Sequence, residues 1–160
     1  MAVNAYLEID GVSGPSTSKA NCIDILSFSF GASQTSTYGE GASGNEAKSG
    51  RAQVSDVSIR KVADKTTPFL FDHCVSGDIL SKVTLYYDKP VKDKQEDYFK
   101  LELTDALITS ISLDGSKEHP TESVTFAFQK ICVAYAAEKD DGTLDAFVPK
   151  CFDASKLVPC

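Results

Sequence analysis

Only one stretch of this chain carries the marks of a helix, and nearly everything on either side alternates apolar and polar residues with period two. In Lys65-Thr-Thr-Pro-Phe-Leu-Phe-Asp-His-Cys-Val-Ser-Gly77, Thr67 is placed to cap and Pro68 occupies a first-turn position where its missing N–H costs nothing. Gly77 supplies a left-handed stop. At helical spacing Leu70, Phe71, Cys74 and Val75 share one arc, which is expected to be core, and Phe69, Asp72 and His73 share the other. A chain with one short helix and many short strands must be mainly β. The expectation is an antiparallel barrel or sandwich of about 7–9 strands with one flanking helix at about residues 67–76.

The strands follow from the alternation. Val3, Ala5, Leu7 and Ile9 oppose Tyr6 and Glu8. Leu26, Phe28 and Phe30 oppose Ser27 and Ser29, but Ile23 and Ile25 have the other parity, which predicts a bulge near Ile25. Further strands are read at Val54 to Ile59, Lys82 to Tyr87, Phe99 to Leu103 and Ala106 to Leu113. In Ser123 to Ala136 the parity passes from Val124, Phe126 and Phe128 to Ile131, Val133 and Tyr135. A bulge at Gln129-Lys130, or a strand bending round a barrel corner, accounts for that switch. Residues 31–52 hold five glycines and almost nothing apolar except Tyr38. A loop so long and coreless is a binding element or disordered. Residues 140–160 are turn-rich and then without usable period, although Thr143 to Val148 can add a short strand. No repeat or hinge divides the 160 residues, so one domain is expected.

Charge and cysteines narrow the function class. A net charge of -7 with two arginines, Arg51 and Arg60, argues against nucleic-acid binding, and the one basic cluster, Lys89, Lys92 and Lys94, sits with Asp88 and Asp93 in a turn-like stretch that reads as a solvated loop. Met1 to Asp10 has neither a basic leader nor a continuous apolar run, and no apolar stretch approaches membrane-spanning length. The expectation is a protein that starts in the cytoplasm, with no membrane insertion. Cys22, Cys74, Cys132, Cys151 and Cys160 are odd in number and show no C-x-x-C spacing. Reduced, mostly buried thiols are expected, with a Cys151–Cys160 pair open in an oxidising environment.

Candidate chemistry fails on context. Gly39-Glu-Gly-Ala-Ser-Gly44 matches G-x-G-x-x-G but lacks the preceding strand and following helix that a dinucleotide site needs. Ser16 and Lys19 match S-x-x-K, yet in a Gly/Pro loop instead of on a helical turn. His73 and Cys74 are consecutive helical residues pointing about 100° apart. His119 has no companion ligands, and Asp140-Asp141-Gly142 lacks the rest of a calcium loop. No catalytic residue, cofactor or metal is expected.

An ordered set of segments resembles the Hcp family, the tube proteins of type VI secretion systems. These are Ala2 to Ile9, Ile23 to Gly31, Val57 to Lys61 running into Asp64-Lys-Thr-Thr-Pro68, Leu107 to Ser112, and Pro120 to Phe128. Phe28 and Phe30 stand where the family often carries tryptophan, and residues from Asp140 onward match poorly. The resemblance implies a small β-barrel with one helix, a hexameric ring with a wide channel, and rings stacked into a tube that a contractile sheath expels together with a spike. Small effectors travel inside. It also implies release from the bacterial cytoplasm to the exterior without a signal peptide. On this reading Gln34, Tyr38, Glu40, Asn45 and Arg51 of the glycine-rich loop, together with Phe69, make ring or subunit contacts. Ser27 and Ser29 line the channel. The alternatives are a tube protein of a related contractile injection system and a monomeric β-barrel carrier with its ligand inside. Against the carrier, nine phenylalanines and many leucines and isoleucines predict a filled interior.

Overall fold

In the computed structural model of the chain, residues 3–36 and 49–160 are described. The elements run β1 (Asn4–Ile9), β2 (Ile23–Asp24), β3 (Ser27–Ser29), β4 (Ala32–Ser36), β5 (Ser49–Val54), β6 (Val57–Val62), α1 (Thr67–Ser76), β7 (Ile79–Val91), β8 (Lys94–Asp114), β9 (Thr121–Tyr135), β10 (Val148–Asp153) and β11 (Val158–Pro159). All strand pairs are antiparallel, and nine strands form one sheet. The path β2-β1-β7-β8-β9 branches at β9, which also pairs with β6 and β10.

The sheet closes on itself where β2 passes into β3. β2 pairs with β1 and β3 pairs with β6. Between them the Ile25 N–H donates to the Ala5 carbonyl at 3.2 Å and the next residue, Leu26, donates to the Arg60 carbonyl at 2.7 Å. Adjacent amides thus bond to opposite neighbours, and no bulge is needed: the parity change expected near Ile25 is a transfer from one sheet edge to the other. Ile23 and Ile25 go inward, while Leu26 is 60% exposed instead of joining Phe28 and Phe30 at the core.

The second parity change is a barrel corner. Register between β8 and β9 runs unshifted from Thr104↔Lys130 to Ala106↔Phe128, so there is no bulge at Gln129-Lys130; the shift lies between Ile108 and Ser110. Asp105 takes a left-handed conformation, φ 51°, at the corner, a region that aspartate tolerates better than most residues. Both strands turn together there. Leu101 and Leu103 before the corner, and Ala106 and Ile108 after it, therefore all face inward. They meet Leu7, Ile9, Ile23, Ile59, Leu85, Val124, Phe126 and Ile131 in one buried cluster. The barrel interior is filled by side chains, as small barrels require.

One end of the barrel holds an ionic plug. Lys61 continues the inward parity of Val57 and Ile59, and its cross-strand partner Glu122 continues that of Val124 and Phe126. The two side chains are fully buried and 2.5 Å apart, and Lys61 Nζ also lies 3.1 Å from Asp64 and donates to the Val62 carbonyl at 3.2 Å. Asp64 in turn accepts from the Thr66 N–H at 2.8 Å and from the Thr66 hydroxyl. Helix α1 starts from this cluster. Thr66 is the N-cap without a side-chain cap, and Thr67, expected to cap, instead accepts from the Asp64 N–H at 3.1 Å. Gly77 stops the helix at φ 72°, as expected.

The helix buries a narrower stripe than the sequence suggested. Leu70 is its one fully buried residue and Cys74 is half-buried, a line at i, i+4 continuing from Thr66. Phe71 and Val75, assigned to the core arc, are 53% and 66% exposed. The helix rests on the barrel along β8 through that single line, so residues 100° away from it face outward.

A loop straps the far face of β1. Lys19 forms an ion pair with Asp97 at 2.7 Å while its Nζ sits 4.3 Å from the Tyr86 ring centroid and 5.8 Å from that of Tyr6. Tyr6, on the polar parity of β1, is thereby buried along with Leu7. Gly14 lets the loop close, because a Cβ there would lie 2.1 Å from the Cys22 carbonyl oxygen. Burial, followed by the charge of Glu8, pushes the Cys22 thiol up to about 11 and the Tyr86 phenol up to about 12.

The cysteine expectation needs correction. Cys132 and Cys151 form a disulfide; Cys22 is buried, Cys74 half-buried and Cys160 exposed. The short strand expected over Thr143 to Val148 is not formed; Val148 instead opens β10, and the tail from Pro149, which has no legible period, supplies the rest of β10 and β11, so Cys151 lies directly opposite Cys132 of β9. No Cys151–Cys160 bond is formed.

Two outcomes follow. Lys61→Met leaves the Glu122 carboxylate buried without its cation, and should lower unfolding free energy by about 3–5 kcal/mol in urea titrations, with much of the loss recovered in Lys61→Met/Glu122→Leu. The Tyr86 phenol is held above the ordinary value of about 10, so the folded state binds that proton more tightly than the unfolded chain. Its contribution is complete below about pH 10 and is lost as pH rises toward 12. The fall in urea midpoint over that window should be shallower in Tyr86→Phe.

Candidate functional site

The sequence motifs for catalysis resolve into local fastenings. The Ser16 hydroxyl accepts from the Ser18 and Lys19 N–H groups at 3.2 and 3.3 Å and donates to Asp24 at 3.0 Å, while the Lys19 ammonium is taken by Asp97. His73 Nδ1 lies 3.4 Å from Asp78, and Cys74 packs toward the core. Asp141 accepts from the Thr143 hydroxyl at 2.6 Å and N–H at 3.0 Å, and these bonds hold its carboxyl below the usual carboxylate range. It closes a turn. The Gly39 to Gly44 motif lies outside the described residues. Among the described residues no group of three or more His, Cys, Asp or Glu side chains could hold a metal, and no helix is long and apolar enough to cross a membrane.

What stands out is surface built for contact. The stretch expected to be a loop, 31–52, is in its described part a β-hairpin: β4 and β5 form a two-stranded sheet of their own, pairing with no strand of the barrel. Its register runs Ala32↔Val54, Ser33↔Gln53 and Gln34↔Ala52, then shifts before Ser36↔Ser49. At the shift the Arg51 N–H donates to Thr35 Oγ1 at 2.9 Å. The root is clamped by Gly31 and Ser55: the Gly31 N–H donates to the Ser55 hydroxyl, and the Ser55 N–H to the Gly31 carbonyl, both at 2.8 Å. The sequence hid these strands because ASQTS and SGRAQV are mostly small and polar, with Val54 their one large aliphatic residue, and show no apolar alternation. Gln34 and Arg51 are exposed on the hairpin; Tyr38, Glu40 and Asn45 lie outside the described residues.

Phe69, on the outer arc of α1, is 59% exposed, so no described segment of its own subunit covers it. Phe71, Val75 and Ile79 are exposed as well. The helix therefore presents apolar rings on both sides of its buried line.

Ser27 and Ser29 are exposed on β3 and belong to a larger polar wall. Pairing carries one row through Ser29↔Ser58, Ser58↔Thr125 and Thr125↔Ser110, and a second through Ser27↔Arg60, Arg60↔Ser123 and Ser123↔Ser112. Residues paired directly across antiparallel strands share a face, and all of these have the parity opposite to the buried core. Ser58 and Thr125 hydroxyls are 3.1 Å apart. Sequence reading found only the two β3 serines. The others were visible as polar positions, but nothing in the order of residues shows which strands lie side by side.

Such a molecule is a closed, filled antiparallel barrel with one capping helix, a hydroxyl-lined outer wall and an accessory hairpin. The chain belongs to the Hcp family of type VI secretion: residues 6–135 match the family model described as "Type VI secretion system effector, Hcp". It is 34% identical over 149 residues to Protein hcp1 of Pseudomonas aeruginosa strain PAO1, covering 91% of this chain and 90% of that one. In fold it is similar to a solved type six secretion system protein, with TM-score 0.88 at 22% identity over 99% of this chain and 100% of that one. Hcp1 from Salmonella typhimurium superposes with TM-score 0.78 at 23% identity, both chains covered completely.

Proposed function

We infer that this chain is the tube subunit of a type VI secretion system. It assembles as hexameric rings that stack into a tube, is expelled by a contractile sheath with its spike, and carries small effectors in the channel. The observation that carries this reading is the hairpin β4–β5. A two-stranded sheet of five- and six-residue strands with little apolar surface is marginal in water on its own, and its edges are open to pairing. A neighbouring subunit that docks on it supplies the missing partner. Ring closure uses a heterologous contact that returns on itself, and stacking uses one that propagates.

The remaining roles fit the same assembly. Gln34, Tyr38, Glu40, Asn45 and Arg51 belong to the hairpin and its connection and make contacts to the next ring or subunit. Phe69 seats against a neighbouring subunit. The rows around Ser27 and Ser29 form the channel wall, where short hydroxyl side chains keep the bore wide and wetted. The cluster of buried aliphatic side chains inside the barrel favours a filled core over a carrier's ligand cavity.

Phe69→Ser and Tyr38→Ala test the contacts, the first with little risk to folding because Phe69 is already exposed. Both should reduce rings and tubes in native mass spectra and negative-stain images at least several-fold. Assembly equal to the unsubstituted chain would overturn those assignments, and a homogeneous monomer for the unsubstituted chain at all concentrations would overturn the tube reading. Ser29→Trp should leave rings intact but diminish effector retention; unchanged retention would remove Ser29 from the channel.

A further inference from the structure

Three of the five cysteines lie in a row across the edge of the sheet. Cys151 in β10 is paired with Cys132 in β9, Cα to Cα 4.0 Å. On its other side β10 pairs with β11 as Phe152↔Pro159 and Asp153↔Val158, and the next position in that register is Cys151 opposite Cys160. The Cys160 N–H donates to the Cys151 carbonyl at 3.0 Å, which continues the ladder to that pair. Directly opposed residues of antiparallel strands project from the same face. Cys151 therefore sits between two sulfur neighbours, one bonded and one an exposed free thiol.

We propose that Cys132, Cys151 and Cys160 form an intramolecular thiol–disulfide exchange site. The Cys160 thiolate attacks Cys151 Sγ, the Cys151–Cys160 bond forms as the Cys132–Cys151 bond breaks, and Cys132 leaves as a thiolate that takes up a proton. One disulfide and one thiol are present before and after, so no oxidant is consumed. The exposed Cys160 thus also gives a low-molecular-weight thiol or disulfide its way in, by the same chemistry. The other two cysteines take no part: Cys22 is buried with its thiol held up to about 11, and Cys74, on α1, is half-buried against the barrel core.

The exchange changes what the bond ties together. Cys132–Cys151 staples β10 to the barrel strand β9; Cys151–Cys160 closes β10 and β11 on themselves and leaves only non-covalent links to the barrel, such as the Ala154 N–H to the Gln129 carbonyl at 2.7 Å. The turn between β10 and β11 lines a surface cleft with Arg51 to Val54 of β5 through Ala154 and Leu157. The position of the staple thereby reaches the base of the accessory hairpin. The chemistry goes beyond the tube reading and does not depend on it.

Peptide mapping without reductant tests this on the full chain. The protein is held folded at alkaline pH, where thiolate forms, then acid-quenched, alkylated and digested. Linked peptides for both Cys132–Cys151 and Cys151–Cys160 are expected, with alkylation shared between Cys160 and Cys132. Cys160→Ser should lose the second species and keep the first. Cys132→Ser, oxidised with glutathione disulfide, should form Cys151–Cys160. Only Cys132–Cys151 in the unsubstituted chain at every incubation time, with Cys160 fully alkylated, would overturn the proposal. So would two alkylated cysteines at positions 151 and 160 in oxidised Cys132→Ser.

Discussion

The ion pair between Lys61 and Glu122 is the contact on which the arrangement of barrel and helix depends. Two opposite charges buried without solvent are costly unless geometry and further hydrogen bonds compensate, and removing one partner costs more than removing both. Here the register places the pair directly across β6 and β9, and Asp64 and the Val62 carbonyl surround the ammonium, while the buried Glu122 carboxylate relies on Lys61 itself. Asp64 then holds the first residues of α1. The polar cluster ties two strands and the helix start into one unit, and Leu70 lies on the barrel a turn further on.

Closure of the sheet supplies the second constraint. Because Ile25 and Leu26 send their amides to opposite neighbours, β1 and β6 become the two sides of one seam, and the barrel has no open edge there. Among the described residues, open edges lie at the accessory hairpin, at β10–β11 and along the end of β8, whose residues beyond Leu107 pair with β9 alone. Open edges and exposed aromatic rings are where association is expected, and both the proposed assembly surface and the cysteine row fall on such places. The closed part of the barrel carries the polar wall instead, with small hydroxyls outside and large aliphatics inside on alternate residues of the same strands.

Several features could be read directly from residue order. The helix bounds, its glycine stop, the mainly β class and the filled interior all follow from local chemistry: Pro68 and Gly77 restrict φ, and alternation restricts which residues share a face. The ordered segments that resemble the Hcp family include Lys61, Asp64 and Glu122, so the resemblance contained the plug without revealing that it was one. Other features were misread for a common reason. Phe71 and Val75 look like core because they lie on the apolar arc of an isolated helix, but how much of that arc is covered depends on the surface beneath. The strands of the hairpin, and β10 and β11, lack apolar alternation because their stability is in pairing, not in a buried face.

By itself, then, the sequence determined the secondary-structure types, the inward parity of most strands and the net negative charge, since each is a property of a few consecutive residues or of their sum. Only the tertiary structure decided that two parity breaks are a seam and a corner, that Lys61 meets Glu122, that scattered serines form one wall, and that Cys151 faces Cys132 and lies next to Cys160. These are contacts between strands far apart in the chain. Register alone sets them, and shifting any pair by one residue would exchange inside for outside without altering the sequence at all.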